Sequence, residues 1–369
     1  MIKHINSGSV CFLNYDLSFG GTEKVIASLA NQLSNSGRAV SILTLSDNND
    51  FKSFIHDDVE IISLNIPSIR YLIPSLARVI TNRRFDNFVA NVWPLTSLAF
   101  ILRIFSRKTR LIFVEHCNLS EQFKGRSSLF KLLQKISIGI FYKFAHVIVA
   151  VSEGVKYDLV SKGVKKNKIQ VIYNPVISRP IKQLDELNIP AQNWKKLSSK
   201  KLIAAGEMKS QKNFINLVEA ISHARKILHL DIGLLILGDG EERKVIESKI
   251  HSLHLQDYIF LAGWVDDPLP YFDLADLFVL SSDYEGFGVV IVEAMSQGLN
   301  VVSTDCNSGP SEILKNGELG FLCEVNNPAS LAEAIARSIQ HPIESEALLA
   351  RARDFSEIKI RKLYEEVLL

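Results

Sequence analysis

Short apolar runs alternate with longer amphipathic stretches along this chain, and that alternation limits the folds open to it. The runs at 10–13, 39–45, 88–91, 111–115, 147–150 and 169–173 are typical of strands. A second series follows at 202–205, 234–237, 258–261, 277–280, 301–304 and 321–323. Strands that alternate with helices form parallel sheets covered by helices. The sequence therefore predicts an α/β protein built from two doubly wound, Rossmann-like halves.

The length of 369 residues suits two domains of ordinary size. Between the two series lies Tyr173-Asn174-Pro175, where proline removes a backbone donor, followed by a polar segment as far as Lys200. We place the hinge there, which predicts a first domain over 1–178 and a second over 179–354. The last stretch, 355–369, has a helical pattern.

Composition narrows the class of protein. An apolar content of 47% with 22% charged residues is typical of a globular chain. We find no apolar run of membrane-spanning length and no signal-peptide pattern, so we expect a cytoplasmic location. The cysteines, Cys11, Cys117, Cys306 and Cys323, have no paired spacing, which predicts neither a zinc site nor a disulfide framework.

The net charge of +2 hides a difference between the halves. Residues 1–178 hold 22 Lys plus Arg against 12 Asp plus Glu, giving +10, and the remainder holds 20 against 28, giving −8. A basic half favours an anionic partner such as a membrane surface or a phosphate-bearing acceptor, although an ordinary solvated surface is the plain alternative. The charges are dispersed and no nucleic-acid module is present, so we expect no nucleic-acid partner.

The most informative segment runs from Leu277 to Met295, where two carboxylates, Glu285 and Glu293, bracket a glycine-bearing turn between a buried strand and a helix. We expect a helix of about three turns after the turn, ended by Gln297-Gly298. The amides of Gly286, Phe287 and Gly288 would then lie at a helix N-terminus, which favours a phosphate. Glu293 suits the vicinal diol of a ribose, so the segment predicts a sugar-nucleotide site.

The same residues carry a family resemblance. Glu285 with Glu293 eight positions later is similar to the Glu-x7-Glu signature of retaining glycosyltransferases of family 4. Other motifs occur in that family's order, namely Gly238-Asp239-Gly240, Thr304-Asp305 and Gly309-Pro310-Ser311-Glu312. The plain alternative is that Glu285 complements a helix dipole and Glu293 lies on a solvated face.

The resemblance implies a GT-B fold, in which two Rossmann-like domains face each other across a cleft and the C-terminal helix packs back on the first domain. It implies transfer of a hexose or N-acetylhexosamine from a nucleoside diphosphate sugar, most often a UDP-sugar, with retention of configuration. The expected acceptor is a saccharide hydroxyl, lipid-linked or belonging to a cell-surface polysaccharide or lipopolysaccharide. No cofactor or metal is expected beyond the sugar nucleotide itself.

Roles for individual residues follow from the same resemblance. The expected catalytic residues are Glu285, His116 and Lys212, with Lys212 neutralising the leaving diphosphate and Glu285 binding the donor sugar. The expected donor-binding residues are Gly20, Gly21, Gly206, Lys212, Gly238, Gly286, Phe287, Gly288 and Glu293. For Gly20 and Gly21 the alternative is a structural turn capped by Thr22, and for His116 it is a satisfied structural histidine.

One position departs from the family pattern. Glu207 stands where the family usually has an arginine beside the diphosphate, and a carboxylate there would repel the leaving group. Lys209, in the same loop, is a candidate to replace the missing charge.

Two alternative functions are also compatible with the sequence. A sugar-nucleotide epimerase of the same fold would isomerise the donor without an acceptor, and a catalytically silent nucleotide-binding subunit would do neither reaction.

Leucine and isoleucine recur at helical spacing at 129, 132, 133, 136 and 140, among Lys131, Lys135 and Lys143. The pattern predicts either a helix whose apolar stripe faces the core or a peripheral contact with the cytoplasmic face of the inner membrane.

Overall fold

A computed structural model describes residues 8–18, 20–48, 50–176, 187–197 and 199–368. Within them the strands are β1 Val10–Asn14, β2 Val40–Thr44, β3 Val59–Ser63, β4 Asn87–Asn91, β5 Arg110–Glu115, β6 Val147–Ala150, β7 Ile169–Val171, β8 Lys200–Ala205, β9 Ile232–Leu237, β10 Ile259–Gly263, β11 Leu277–Leu280, β12 Asn300–Thr304 and β13 Phe321–Cys323. The helices are α1 Gly21–Asn35, α2 Leu72–Asn82, α3 Leu95–Leu98, α4 Leu102–Phe105, α5 Leu119–Gln122, α6 Ser128–Phe141, α7 Glu153–Ser161, α8 Ile189–Lys195, α9 Phe214–Lys226, α10 Arg243–Ser252, α11 Leu269–Phe272, α12 Val289–Met295, α13 Pro310–Ile313, α14 Pro328–Gln340, α15 Ser345–Ala352 and α16 Glu357–Val367.

The strands form two sheets, and every strand pairing in both is parallel. The first sheet has the order β3-β2-β1-β4-β5-β6-β7, and the second has β10-β9-β8-β11-β12-β13. In both, the order reverses beside the first strand of the series, as in doubly wound nucleotide-binding folds. The predicted fold class, α/β with two Rossmann-like halves, is confirmed.

The sequence pattern missed β3. This strand pairs only with β2, and apart from Val59 its residues are partly or largely exposed. Glu60 and Ser63 interrupt its apolar run, and a continuous run is the signal by which the other strands were predicted.

The chain divides into two compact units, one formed by 1–177 with 356–369 and the other by 178–355. Part of the predicted hinge, 177–186 together with 198, lies outside the described residues. Helix α16 belongs to the first unit and packs on α1, where Ser28 Oγ donates to Glu357 Oε1 at 2.6 Å. Tyr364 of α16 is almost completely buried.

The core of the second unit lies between its sheet and the helices α9 and α14. Helix α9 begins after Asn213, which adopts a left-handed conformation (φ 45°) and caps the helix by accepting a hydrogen bond from the Asn216 amide. Phe214 and Leu217 bury the first turn of this helix. The capping loop is thereby fixed at the carboxyl end of β8, where ligands bind in open parallel sheets.

Helix α12 is shorter than predicted. It starts after Gly288, as predicted, but has seven residues, about two turns and not three, because it stops at Met295. Gly288 is left-handed (φ 95°), a conformation that ends any helical path leading into it from the turn. Among the described residues, no helix is both long and apolar enough to cross a bilayer.

Candidate active site

An ion pair between Lys212 and Glu285 lies at the carboxyl edge of the second sheet. Lys212 Nζ donates to Glu285 Oε1 at 2.7 Å, and the two side chains are only 15% and 9% exposed. The hydroxyl of Ser282, which follows β11, donates to the same carboxylate oxygen at 2.7 Å. The two residues that the resemblance assigned to catalysis in this unit are therefore in direct contact.

The loops that carry this pair are tied to one another. Ser281 Oγ donates to the Lys212 carbonyl at 2.8 Å, and Asn213 Nδ2 donates to Asp283 Oδ1 at 2.7 Å. Thr304 Oγ1, at the end of β12, donates to the Ser282 carbonyl at 2.6 Å. Three neighbouring strand ends thus fix the position of the lysine and the carboxylate, which is the rigidity that a binding site requires.

The turn that follows Glu285 is buried and leads directly into α12. Gly288 is the residue before the helix, and no side chain accepts from the first helical amides. Within the described residues, the amides of Gly286 and Gly288 form no hydrogen bond to the protein. Glu293 lies on α12 in the same unit and is buried, with 7% of its surface exposed.

The glycines at the ends of β8 and β9 have a structural role. Gly238 has φ 128°, and a Cβ there would lie 2.0 Å from the Gly206 carbonyl oxygen. Two backbone segments therefore cross at van der Waals distance, which only a residue without a side chain permits. The Lys212 side chain lies over Gly206, since a Cβ at that glycine would be 3.1 Å from Lys212 Cε.

Glu207 and Lys209 neutralise one another. Lys209 Nζ lies 2.7 Å from Glu207 Oε2, and both side chains are well exposed. Lys209, the candidate to supply the charge of the missing arginine, is thus already paired with Glu207, the residue at the arginine position. Lys212 is the less exposed cation of this loop, with 15% of its side chain exposed against 38% for Lys209.

In the first unit, His116 lies after β5 and is buried. Its Nε2 is 3.1 Å from Asn91 Oδ1, while Asn91 Nδ2 donates to the Leu13 carbonyl. That arrangement assigns the proton to Nε2 and leaves Nδ1 as an acceptor. Burial lowers the pKa of His116 to about 4, so the imidazole is neutral near pH 7.

Two buried polar atoms at the carboxyl edge of the first sheet have no hydrogen-bond partner among the described residues, His116 Nδ1 and Asn14 Oδ1. Asn14 ends β1, and its Nδ2 donates to Glu23 of α1 at 3.0 Å. Buried polar atoms without partners are uncommon in native proteins, and here they lie at the edge where ligands bind.

Glu115 forms a separate network, away from His116. The Thr96 hydroxyl donates to Glu115 Oε1 at 2.9 Å, the Trp93 amide donates to Oε2 at 3.2 Å, and the Tyr142 hydroxyl also donates to Oε1. Burial raises the pKa of Glu115 to about 7, although these hydrogen bonds oppose the shift. Neighbouring residues on a strand face opposite sides, so Glu115 does not orient His116.

Gly20 caps α1 through its backbone, with an extended conformation, and Gly21 is the first helical residue. The alternative in which Thr22 caps this helix is wrong. A Cβ built on Gly21 would meet nothing within 4 Å, whereas one built on Gly20 would clash with the carboxylate of Glu23. Within the part of the chain that the structure describes, no group of three or more His, Cys, Asp or Glu side chains is placed to hold a metal ion.

Several residues of the site were not predicted from the sequence. Ser282 and Asn213 hold the ion pair and its loop, and Asn91 sets the tautomer of His116. Each directly follows or ends a strand or precedes a helix, which is the signal that could have identified it.

Two family models match the chain. Residues 19–178 match the model described as Glycosyltransferase Family 4, and residues 185–355 match the model described as Glycosyl transferases group 1. Together with two doubly wound units, these matches define a glycosyltransferase with the GT-B fold. The chain belongs to this family of glycosyltransferases and is an enzyme of the transferase class.

Known proteins resemble the chain over 60% to 98% of its length. The N-acetylgalactosamine-N,N'-diacetylbacillosaminyl-diphospho-undecaprenol 4-alpha-N-acetylgalactosaminyltransferase of Campylobacter jejuni is 27% identical over 364 residues, covering 94% of this chain and 96% of the relative. The lipopolysaccharide 1,6-galactosyltransferase of Escherichia coli is 27% identical over 228 residues, covering 60% of each. The solved structure of Anabaena Alr3699/HepE in complex with UDP has a TM-score of 0.77 and 20% identity, covering 98% of this chain and 99% of that one.

Proposed function

We propose that this chain transfers a hexose or N-acetylhexosamine from a UDP-sugar to a hydroxyl of a saccharide acceptor in polysaccharide or lipopolysaccharide biosynthesis, with retention of the anomeric configuration. The observation that carries the proposal is the largely shielded contact between Lys212 and Glu285 beside the unpaired amides of Gly286 and Gly288. A cation shielded from water and main-chain donors are what a departing diphosphate requires.

The donor diphosphate would be held by Lys212 and the amides of 286–288, and the ribose diol by Glu293. In this arrangement Lys212 turns from Glu285 to the diphosphate, which frees the carboxylate to accept hydrogen bonds from the donor sugar. The bond between the anomeric carbon and the phosphate oxygen breaks, the acceptor oxygen bonds to that carbon, and the acceptor proton passes to the departing phosphate. No metal is required in this scheme, because the protein itself supplies positive charge.

In the first unit we assign roles to His116, Gly20 and Gly21. The neutral imidazole of His116 has an unpaired, buried Nδ1 that can accept a hydrogen bond from a sugar hydroxyl. Gly20 and Gly21 place backbone amides at the start of α1, where an anionic ligand is favoured. The basic character of the first unit suits an acceptor that carries phosphate.

Support for the choice of donor and acceptor comes from similar proteins. Structures of Anabaena Alr3699/HepE contain UDP, UDP with glucose, and UDP-glucose. The Campylobacter relative is named for a diphospho-undecaprenol acceptor, and the Escherichia coli relative is a lipopolysaccharide galactosyltransferase. A lipid-linked saccharide would place the reaction at a membrane surface.

The test starts with a panel of sugar nucleotides, because a ligand that binds the folded state raises its melting temperature. A donor that stabilises the protein is then incubated with lipid-linked and soluble saccharides, and the product is identified by mass spectrometry. Proton NMR of the first-formed glycoside reports its anomeric configuration. Isomerised donor without transfer would replace the proposal by an epimerase, and an inverted anomer would remove the retaining mechanism.

A further inference from the structure

Helix α6 presents a row of large aliphatic side chains to solvent. Five of its residues are 45 to 66% exposed, namely Leu129, Leu132, Leu133, Ile136 and Ile140. At about 100° per residue they fall within an arc of about 100° on one side of the helix. The opposite side is the one that packs inward, through the buried side chains of Gln134 and Ile138. The alternative prediction, that this apolar stripe faces the core, is therefore wrong for these five residues.

The exposed row continues beyond the helix. Phe100 stacks on Phe141 at the end of α6, with ring centroids 4.5 Å apart, and lies 6.0 Å from Phe144. Helix α4 begins two residues after Phe100, and its residues Ile104 and Phe105 are 61% and 50% exposed. A monomeric soluble protein rarely exposes so many neighbouring large apolar side chains without a partner for them.

The charge around this surface is mostly positive. Residues 87–152 contain nine basic residues and two acidic ones, a balance of +7, and one of the two acids, Glu115, is completely buried. The basic residues are Arg103, Arg107, Lys108, Arg110, Lys124, Arg126, Lys131, Lys135 and Lys143. At the same angle of about 100° per residue, Lys135 lies about 60° round the helix from Leu132 at one side of the aliphatic row, and Lys131 lies about 40° further round; both are exposed.

We propose that α6, with Ile104 and Phe105, docks on the surface of an anionic phospholipid bilayer. A second protein chain would need an acidic apolar face to match, whereas anionic lipid supplies negative headgroups above an apolar layer in one surface. The helix lies flat and does not span, because 14 residues reach only about 21 Å, short of the hydrocarbon thickness of about 30 Å.

The helix is fastened to the first unit on its inner side. Trp93 Nε1 donates to Ser137 Oγ of α6 at 3.0 Å, and Tyr142, directly after the helix, donates to Glu115 at the end of β5. Glu115 precedes His116 in the chain. Docking through the outer face therefore leaves the contacts between α6 and the strand that carries His116 in place.

Vesicle sedimentation without donor or acceptor tests this surface, so the result does not depend on the proposed transfer reaction. Phosphatidylcholine vesicles with and without phosphatidylglycerol are compared at low and high salt. We expect the wild type to sediment with the anionic vesicles, and less so at high salt, because screening shortens the range of the attraction.

Matched variants separate the two parts of the surface. Lys131→Gln with Lys135→Gln removes two charges near the membrane, each worth about 1 kcal/mol, and lowers the partition coefficient about thirtyfold. Leu132→Gln with Ile136→Gln removes two apolar contacts and lowers binding at both salt concentrations. Ile227→Gln with Val245→Gln is the control, because these residues of the second unit are 62% and 57% exposed and have no place in the docking surface.

Melting temperatures confirm that each variant is folded, as expected for exposed positions. Binding of the α6 variants at the wild-type level, or equal loss in the control variant, would overturn the proposal. Light scattering of the lipid-free protein tests whether the same face forms a dimer instead. A wild-type dimer that becomes monomeric in the Leu132 and Ile136 variant, together with no sedimentation on anionic vesicles, would assign this face to a second copy of the chain and overturn docking.

Discussion

The ion pair between Lys212 and Glu285 gives the sharpest test of the site, because Glu285 is buried, Lys212 is largely shielded from solvent, and each can be removed alone. Lys212→Met leaves the carboxylate with only the Ser282 hydroxyl, and Glu285→Gln leaves a largely shielded ammonium without its counter-charge. Breaking a buried pair in this way costs about 3 to 5 kcal/mol. In a unit of this size, each kcal/mol of lost stability lowers the melting temperature by about 2 to 4 °C. The melting temperature of the second unit should therefore fall by about 6 to 20 °C.

The double variant Lys212→Met/Glu285→Gln should recover much of this loss, because neither charge is left alone. We expect an interaction energy of about 2 to 3 kcal/mol from the double-mutant cycle, measured by urea unfolding. The exposed pair Lys200 with Asp276, 3.2 Å apart with side chains 56% and 40% exposed, is the matched control in the same unit. Its cycle should give less than about 1 kcal/mol.

All three variants of the buried pair should lose transfer activity by orders of magnitude, including the double variant that regains stability. Recovered stability without recovered turnover separates the chemical role from the structural one. An interaction energy below about 0.5 kcal/mol, or no larger than that of the exposed pair, would refute the description of this contact as a desolvated ion pair. Near-normal turnover of Glu285→Gln would remove the carboxylate from the catalytic residues.

Three further outcomes are expected. The folded pKa of His116, about 4, lies below its unfolded value, so the unfolded state binds more protons between about pH 6.5 and 4. The stability of the first unit should therefore fall as the solution is acidified through this range. Glu115, with a folded pKa of about 7, has the opposite effect, so its contribution to stability is lost as the pH rises from about 4.5 to 7. Urea unfolding across this range measures the free energy of unfolding at each pH. Its decrease toward acid pH should be smaller in His116→Gln, and its decrease toward neutral pH should be smaller in Glu115→Gln. An unchanged pH dependence in both variants would contradict these assignments. Gly238→Ala brings a Cβ within 2.0 Å of a backbone carbonyl at a φ of 128°, so its melting temperature should fall clearly while Gly21→Ala, where a Cβ meets nothing within 4 Å, serves as control; equal effects would count against the crossing of the two loops. Glu207→Arg replaces a repelling charge by a charge-assisted donor worth about 1.5 to 3 kcal/mol, so the donor should bind at least about tenfold more tightly by calorimetry, and unchanged affinity would place this loop away from the diphosphate.

The alternation of apolar runs with amphipathic stretches was enough to predict two parallel sheets, because buried parallel strands carry continuous apolar sequences. The same rule missed β3, where Glu60 and Ser63 interrupt the apolar run. It also overestimated α12, because the apolar pattern before Gln297-Gly298 does not reveal that the helix stops at Met295. Local pattern predicts an element, whereas its ends depend on backbone conformation.

The sequence by itself determined the order of elements, the glycine turn of 286–288 and the residue types that suit a sugar nucleotide. Only the tertiary structure decided that Lys212 pairs with Glu285, that Lys209 is already paired with Glu207, and that the aliphatic row of α6 faces solvent. The reason is physical. Residues 73 positions apart come into contact only when the strands that carry them lie side by side in a sheet. An apolar helical stripe has the same sequence pattern whether it faces the protein core or solvent.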